Sequence, residues 1–291
     1  MDLREFNKIP NEELPPELFS LDILDGSPPC TTFSMAGQRE DSWGKKKKFR
    51  EGQAEQTLDD LSFVFIETVK KLNPKVVIME NVEGLILGEA FTYVQRIYAE
   101  FKNAGYRVHH WLLKGEQMGV PQKRHRVFFV AVRSDLQIDP SFLDMSFNYV
   151  PITYGEIKSK FGEPFSEKGK LGKFYQLLST ATKEDHSLCD IIVRNGGKAT
   201  AFQQVIIHDD DVCPTIRASR GFDGYRWPEM TKTTAQDVIN SQTFPQDYWF
   251  GDNAGKGIVS YICGMSVPPI MIKRIVTRLI DQGVFDYAKS V

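Results

Sequence analysis

Cys30 closes the run Asp25-Gly26-Ser27-Pro28-Pro29-Cys30, which follows the short apolar stretch Leu21, Ile23, Leu24. Two prolines stiffen the loop, and a thiol at a strand end is presented at the sheet edge, where a nucleophile is useful. Alone the position says little, because most single cysteines are small buried hydrophobes. Glu80-Asn81-Val82 follows the β-rich run Val76-Val77-Ile78-Met79 and places a carboxylate at a second strand end. A glutamate there is otherwise solvated or caps a helix. Gln122-Lys123-Arg124-His125-Arg126 enters a third apolar run, Val127 to Val132, and alternation puts Gln122, Arg124 and Arg126 on one face. Two guanidinium groups beside a carboxylate and a thiol form an anion or base-edge clamp; the bland alternative is an exposed basic strand start.

The elements that must position these groups are legible from periodicity. Leu58, Leu61, Phe65, Val69 and Leu72 recur at helical spacing, and Asn73-Pro74 ends the pattern before the Val76 strand. Phe91, Val94, Ile97, Tyr98 and Phe101 repeat the stripe, Gly105 closes it, and Tyr106, Val108, His110 and Leu112 then alternate as a strand. This alternation predicts an α/β fold: an open, mostly parallel, doubly wound sheet with helices on both faces and its site at the carboxyl ends of the strands. From Pro151 the regularity fades into a stretch rich in Gly, Lys, Ser and Thr, with the basic cluster Lys158, Lys160, Lys168, Lys170 and Lys173. A helical stripe returns at Met271, Ile272, Ile275, Val276, Leu279 and Ile280 behind Pro268-Pro269. The expected organisation is a catalytic domain over 1–150, with 255–291 packing back on it, and a smaller irregular domain over 151–254.

The 291 residues, 41% hydrophobic and 25% charged, exclude a disordered or collagen-like chain. The net charge of -2 leaves any polyanion affinity to local patches. Cys30, Cys189, Cys213 and Cys263 are far apart with no CxxC pair, which argues against a zinc ribbon or disulfide framework and for a reducing cytoplasm. His109 and His110 are adjacent in a strand and face opposite sides, so no metal is expected there. No apolar run approaches the roughly 20 residues of a membrane span, and the start lacks a secretory apolar core.

Taken together and in order, these segments resemble the cytosine-C5 DNA methyltransferases. Gly26 to Cys30 through Phe33-Ser34 and Ala36-Gly37 is similar to the family's catalytic Pro-Cys loop. Pro74 to Leu85, centred on Glu80-Asn81-Val82, resembles its Glu-Asn-Val motif, and Gly119-Val120-Pro121-Gln122 through Arg126 its Gln-x-Arg-x-Arg motif. Phe244-Pro245 and Gly264 to Pro269 look like its last two motifs. The resemblance implies that the Cys30 thiolate adds to C6 of cytosine, making C5 nucleophilic toward the methyl group of S-adenosylmethionine. It assigns Glu80 to the ring N3, most effectively with a carboxyl pKa raised by a dry pocket, Arg126 to the cytosine O2, and Arg124 to support of the loop or a phosphate. The target base must leave the duplex stack. Ser34 to Arg50, with Gly37, Gly44 and the lysine run, is placed as a mobile basic loop. The irregular domain becomes a target-recognition domain. Duplex DNA contacts are implied for Ser34, Gly37, Gln122, Arg217 and Arg220, and cofactor contacts for Asp2, Leu3, Pro28, Leu61, Ser266 and Val267.

The resemblance is incomplete at the cofactor half. Upstream of Cys30 there is neither the family's Gly-rich strand-to-helix loop nor the acidic residue that follows it; Asp2-Leu3-Arg4 resembles the third motif, whose Asp contacts the adenine. Met265 stands where the family usually has Asn. Either a second polypeptide supplies the missing strands or the chain is a truncated product. An amino-methyltransferase ends its Ser-Pro-Pro loop in an aromatic residue, and Cys30 speaks for C5 instead. A transfer-RNA cytosine methyltransferase and a non-catalytic DNA-binding fragment or pseudo-enzyme remain as alternatives.

Overall fold

A computed structural model describes residues 1–28, 60–199, 204–218 and 224–286. The Pro-Cys loop from Pro29 onward, with Cys30, Ser34 and Gly37, and also Arg220, lie outside the described residues. The described chain divides into two compact units: residues 1–113, 125–146 and 275–291 form the first, and residues 114–124 and 147–274 the second.

The first unit contains α1 (Leu3–Lys8), β1 (Ile23–Gly26), α2 (Leu61–Leu72), β2 (Val76–Val82), α3 (Phe91–Asn103) and β3 (Tyr106–Lys114). The short β4 (Gln122–Lys123) follows in the second unit, and β5 (His125–Arg133) returns to the first. Strand order in the first unit's sheet is β1-β2-β5-β3. Strand β1 pairs parallel with β2, and β2 antiparallel with β5. The sheet is therefore less parallel than alternation alone predicts. The reason lies in the connection from β3 to β5: it carries no crossover helix, and a parallel pairing needs about a dozen or more residues, usually helical.

Strands β2 and β5 are apolar runs because both faces are covered. On one face Val77, Met79, Val127, Phe129 and Ala131 pack with Phe65, Ile66 and Val69 of α2 and with Val94, Ile97 and Phe101 of α3. The alternate residues Val76, Ile78, Phe128, Val130 and Val132 are equally buried. Helix α2 stops at Asn73, whose left-handed conformation lets its N–H bond the Val69 carbonyl. Asn7 ties α1 to α2: its amide donates to the Val64 carbonyl and its oxygen accepts from the Thr68 hydroxyl. Strand β1 has no described neighbour on its outer side.

The second unit is built from short pieces: α4 (Tyr154–Ile157), α5 (Glu167–Lys170), α6 (Lys173–Leu178), α7 (Leu188–Arg194), β6 (Val205–Ile207), β7 (Cys213–Pro214), β8 (Gly224–Arg226), β9 (Thr231–Lys232), α8 (Ala235–Gln242) and α9 (Lys256–Met265). Its small sheets are β6-β8-β9 and β4-β7. Tyr154, Ile207, Cys213, Ile216, Val238, Val259 and Cys263 form its main core. Within it Arg226 and Asp237 make a fully buried ion pair at 2.7 Å. Burial works to raise the Asp237 carboxyl, but Arg226 and the N–H groups of Ser159 and Thr234 prevail and hold it below the usual carboxylate range.

Helix α10 (Pro269–Asp281) begins in the second unit and ends in the first. Met271, Ile275 and Leu279 of its stripe are buried, whereas Ile280 is exposed, one position round the helix from that face. By length and composition 256–281 is the one described stretch apolar enough to cross a membrane. It is two helices, because Ser266 is extended and Pro268 and Pro269 follow, and Val259, Cys263, Met271, Ile275 and Leu279 are buried within the protein.

Candidate active site

The register of β2 against β5 brings the two predicted strand-end groups together. Glu80 lies opposite Phe128 and Val82 opposite Arg126, so Glu80 and Arg126 are diagonal neighbours on one face. Arg126 Nε bonds Glu80 Oε1 at 2.8 Å, with both side chains largely buried. Arg126 Nη1 donates to the His125 carbonyl. Among the described residues Glu80 Oε2 and Arg126 Nη2 have no further partner. One carboxylate oxygen and one guanidinium nitrogen are thus held in place with bonding capacity left over.

The opposite parity of β2 serves the Pro-Cys loop. Asn81 points away from Glu80, is almost fully buried, and donates from Nδ2 to the Pro28 carbonyl at 3.2 Å. It anchors the last described residue before that loop. In the sequence Asn81 shows only as an amide at a position where alternation turns it off the Glu80 face. Gly26, opposite Met79 in the register, can only be glycine, because a Cβ there would run into the Phe65 ring.

Gln122 and Arg124 do not share a face with Arg126. The strand is interrupted at Arg124, and β4 pairs with β7 in the second unit. Gln122 is fully enclosed: its Nε2 donates to the Ser241 carbonyl and to Gln242 Oε1, and its Oε1 accepts from the Ile216 N–H. Both ends of the amide are engaged away from solvent. Arg124 is 2% exposed, and donates from Nη1 to the Ile216 carbonyl and from Nη2 to those of Gly264 and Ser266. Together the two side chains pin the Pro214–Ala218 segment, beside which Gly264 leaves no room for a Cβ. Arg217, half-buried on that segment, has no hydrogen-bond partner among the described residues.

The remaining expected residues distribute as follows. Asp2 caps α1, accepting the Arg4 N–H at 2.8 Å; Leu3 is half exposed and Leu61, at the start of α2, is buried. Because α1 runs alongside α2 from Asn7 against Val64 and Thr68, its first residues lie toward the Leu61 end. An adenine needs an apolar wall and an acceptor for its amino group, which Leu3, Leu61 and the partly exposed Asp2 carboxylate can provide. Ser266 and Val267 are in the second unit, where the Ser266 carbonyl accepts from Arg124 and Gln242. Met265 is exposed at the end of α9. In the basic cluster Lys158 is bound by Asp209 and Glu229, and Lys170 by Glu167. Of the described cysteines, Cys213 and Cys263 are buried, and burial pushes both thiols up to about 12.

Solved structures share this α/β fold. The Spodoptera frugiperda DNMT2 triple mutant superposes with a TM-score of 0.58 at 16% identity, over 95% of this chain and 87% of that one. S. pombe Dnmt2 gives 0.53 at 14%, over 90% and 78%. The family itself follows from sequence: residues 1–281 match the C-5 cytosine-specific DNA methylase family, to which this chain belongs. Among curated relatives, the type II methyltransferase M.NgoFVII of Neisseria gonorrhoeae is 28% identical over 100% of this chain and 73% of its own length. M.Bsp6I of Bacillus is 23% identical over 89% and 78%. The methyl donor of this family is S-adenosylmethionine.

Proposed function

We propose that the protein transfers a methyl group to C5 of a flipped-out cytosine in duplex DNA through a covalent Cys30 intermediate. The observation that carries this reading is the Glu80–Arg126 pair, fixed by the β2/β5 register with one oxygen and one nitrogen left over, next to a Pro28 loop anchored by Asn81. Burial pushes the Cys213 and Cys263 thiols up to about 12, which makes either a poor nucleophile.

The Cys30 thiolate adds to C6 while Glu80 holds a proton at N3, so negative charge does not build up on the ring. Arg126 donates to O2 from its remaining nitrogen and keeps Glu80 oriented through the other. When S-adenosylmethionine is bound, Asp2, Leu3 and Leu61 would hold its adenine, and its sulfonium would supply the methyl group to C5 and leave as the neutral thioether. Loss of the C5 proton to a base then restores the double bond and expels Cys30. Arg217, carried by the segment that Gln122 and Arg124 pin, contacts the DNA. The protein acts in the cytoplasm.

The test is methyl transfer from labelled S-adenosylmethionine to duplex DNA and to transfer RNA, with and without co-expressed candidate partners, followed by nucleoside analysis. Label in 5-methyldeoxycytidine supports the reading. Label at N4, at adenine N6, or only in RNA would replace it.

A further inference from the structure

We propose that His186, His208 and Asp211, in the second unit, form a divalent transition-metal site, with zinc the metal the ligand set suits. One ligand atom from each residue lies within 4.8 Å of the others. Tetrahedral zinc with ligands at about 2.0–2.1 Å sets neighbouring ligand atoms about 3.3 Å apart. His186 Nδ1 and Asp211 Oδ2 are already 3.3 Å apart, long for a hydrogen bond but matched to two ligands of one ion.

The orientation of His208 is the second argument. This histidine is 4% exposed, and its Nε2 lies 2.9 Å from the Asp185 carbonyl. A carbonyl can only accept, so Nε2 carries the proton and Nδ1 keeps a lone pair. Nδ1 has no hydrogen-bond partner among the described residues. It is the ring nitrogen nearer the main chain, and the His208 N–H itself bonds Asp211 Oδ2 at 3.0 Å. A ligating imidazole fixed by a carbonyl at its other nitrogen is the usual outer-shell arrangement of a metal site.

The backbone is preorganised around the three side chains. Ile206 N–H bonds the His186 carbonyl, Asp211 N–H the His208 carbonyl, and Tyr154 N–H the Asp211 carbonyl. Asp185, whose carbonyl orients His208, is itself tied by Arg194 and Thr182. His186 is 60% exposed, which gives an entry path and leaves a fourth position for water. Two imidazoles and one carboxylate suit zinc better than calcium or magnesium, which prefer all-oxygen shells. The ion would clasp the lead-in to α7 onto the turn that follows β6, in a unit made of short elements. The ligands are too far apart in sequence, and too unlike a paired-cysteine motif, for spacing to reveal them.

The full chain, stripped with chelator and desalted, is titrated with zinc chloride by calorimetry and then melted with and without the metal. His186→Gln and Asp211→Asn are the variants, because His186 is exposed and Asn can still accept the His208 N–H; His208→Ala risks misfolding. The expected result is one zinc per chain and a zinc-dependent rise in Tm. Each variant should weaken binding by more than the roughly 10- to 100-fold typical of losing an outer-shell partner, and abolish the rise in Tm. Cobalt(II) should give a visible d–d spectrum in the wild type alone. Failure of the wild type to bind zinc, or equal binding by wild type and both variants, would overturn the site.

Discussion

Arg124 and Arg126 are two residues apart in one motif, yet they do opposite work in the two units. Arg126, in the first, makes an ion pair with a carboxylate and a hydrogen bond to a neighbouring carbonyl, and retains a nitrogen. Arg124, in the second, is enclosed and grips three main-chain carbonyls. The first unit holds groups that are oriented but not saturated, which is what a transition state needs from preorganised donors and acceptors. Gln122 and Arg124 of the second unit bond the main chain of Ser241, Ile216, Gly264 and Ser266, and so hold the segment that carries Arg217. The chain passes from the second unit to the first between Arg124 and His125.

The largest effect expected from this contrast is kinetic and confined to the first unit. Glu80→Gln should lower turnover about 10²- to 10⁴-fold, the range for losing a general acid or base, with duplex affinity nearly unchanged. Single-turnover methylation beside a DNA titration measures both, and wild-type turnover would make Glu80 structural.

Next in size is the buried pair of the second unit. Asp237→Asn leaves Arg226 uncompensated and should cost about 3–5 kcal/mol in denaturant unfolding. The Asp237 carboxyl is depressed in the fold, so its contribution is complete above the unfolded-chain value of about 3.9 and is lost as pH falls through the lower folded value. Asp185 is depressed too, by Arg194 and Thr182 against the effect of burial, and adds in the same direction. Wild-type stability should therefore drop below about pH 4, and the variant should show a smaller acid step.

The smallest effects separate the two arginines themselves. Arg124→Ala strips donors from buried carbonyls and should destabilise the protein by about 1–3 kcal/mol. Arg126→Ala leaves the largely buried Glu80 carboxylate without its counter-ion and should cost stability as well, but it should lower methyl transfer per folded molecule more than Arg124→Ala does. Equal methyl transfer per folded molecule by the two variants would erase the distinction.

How much of this was legible follows from particular residues. Strands β2 and β5 and helices α2 and α3 announce themselves by apolar periodicity and by the breakers Asn73, Pro74 and Gly105. Glu80 and Arg126 were legible as strand-end groups because apolar runs flank them. The interruption at Arg124 was not, because a two-residue strand such as β4 has no period, and the alternation that joins Gln122, Arg124 and Arg126 assumes an unbroken strand. Nor was the antiparallel course of β5 legible, since strand direction is set by the connection and not by the strand's composition. Ile280 joined the apolar stripe by type, while the buried face of α10 is set by Met271, Ile275 and Leu279.

The most direct test of the central claim is covalent trapping. A duplex carrying 5-fluorocytosine at the target site, incubated with cofactor and any partner chain needed for activity, should yield a protein–DNA adduct that survives denaturing gel electrophoresis. Fluorine at C5 cannot leave as the proton does, so Cys30 stays bound to C6. Cys30→Ser should abolish the adduct, while substitutions of Cys189, Cys213 and Cys263 should not. An adduct that persists in Cys30→Ser, with its peptide mapping elsewhere, would contradict the account.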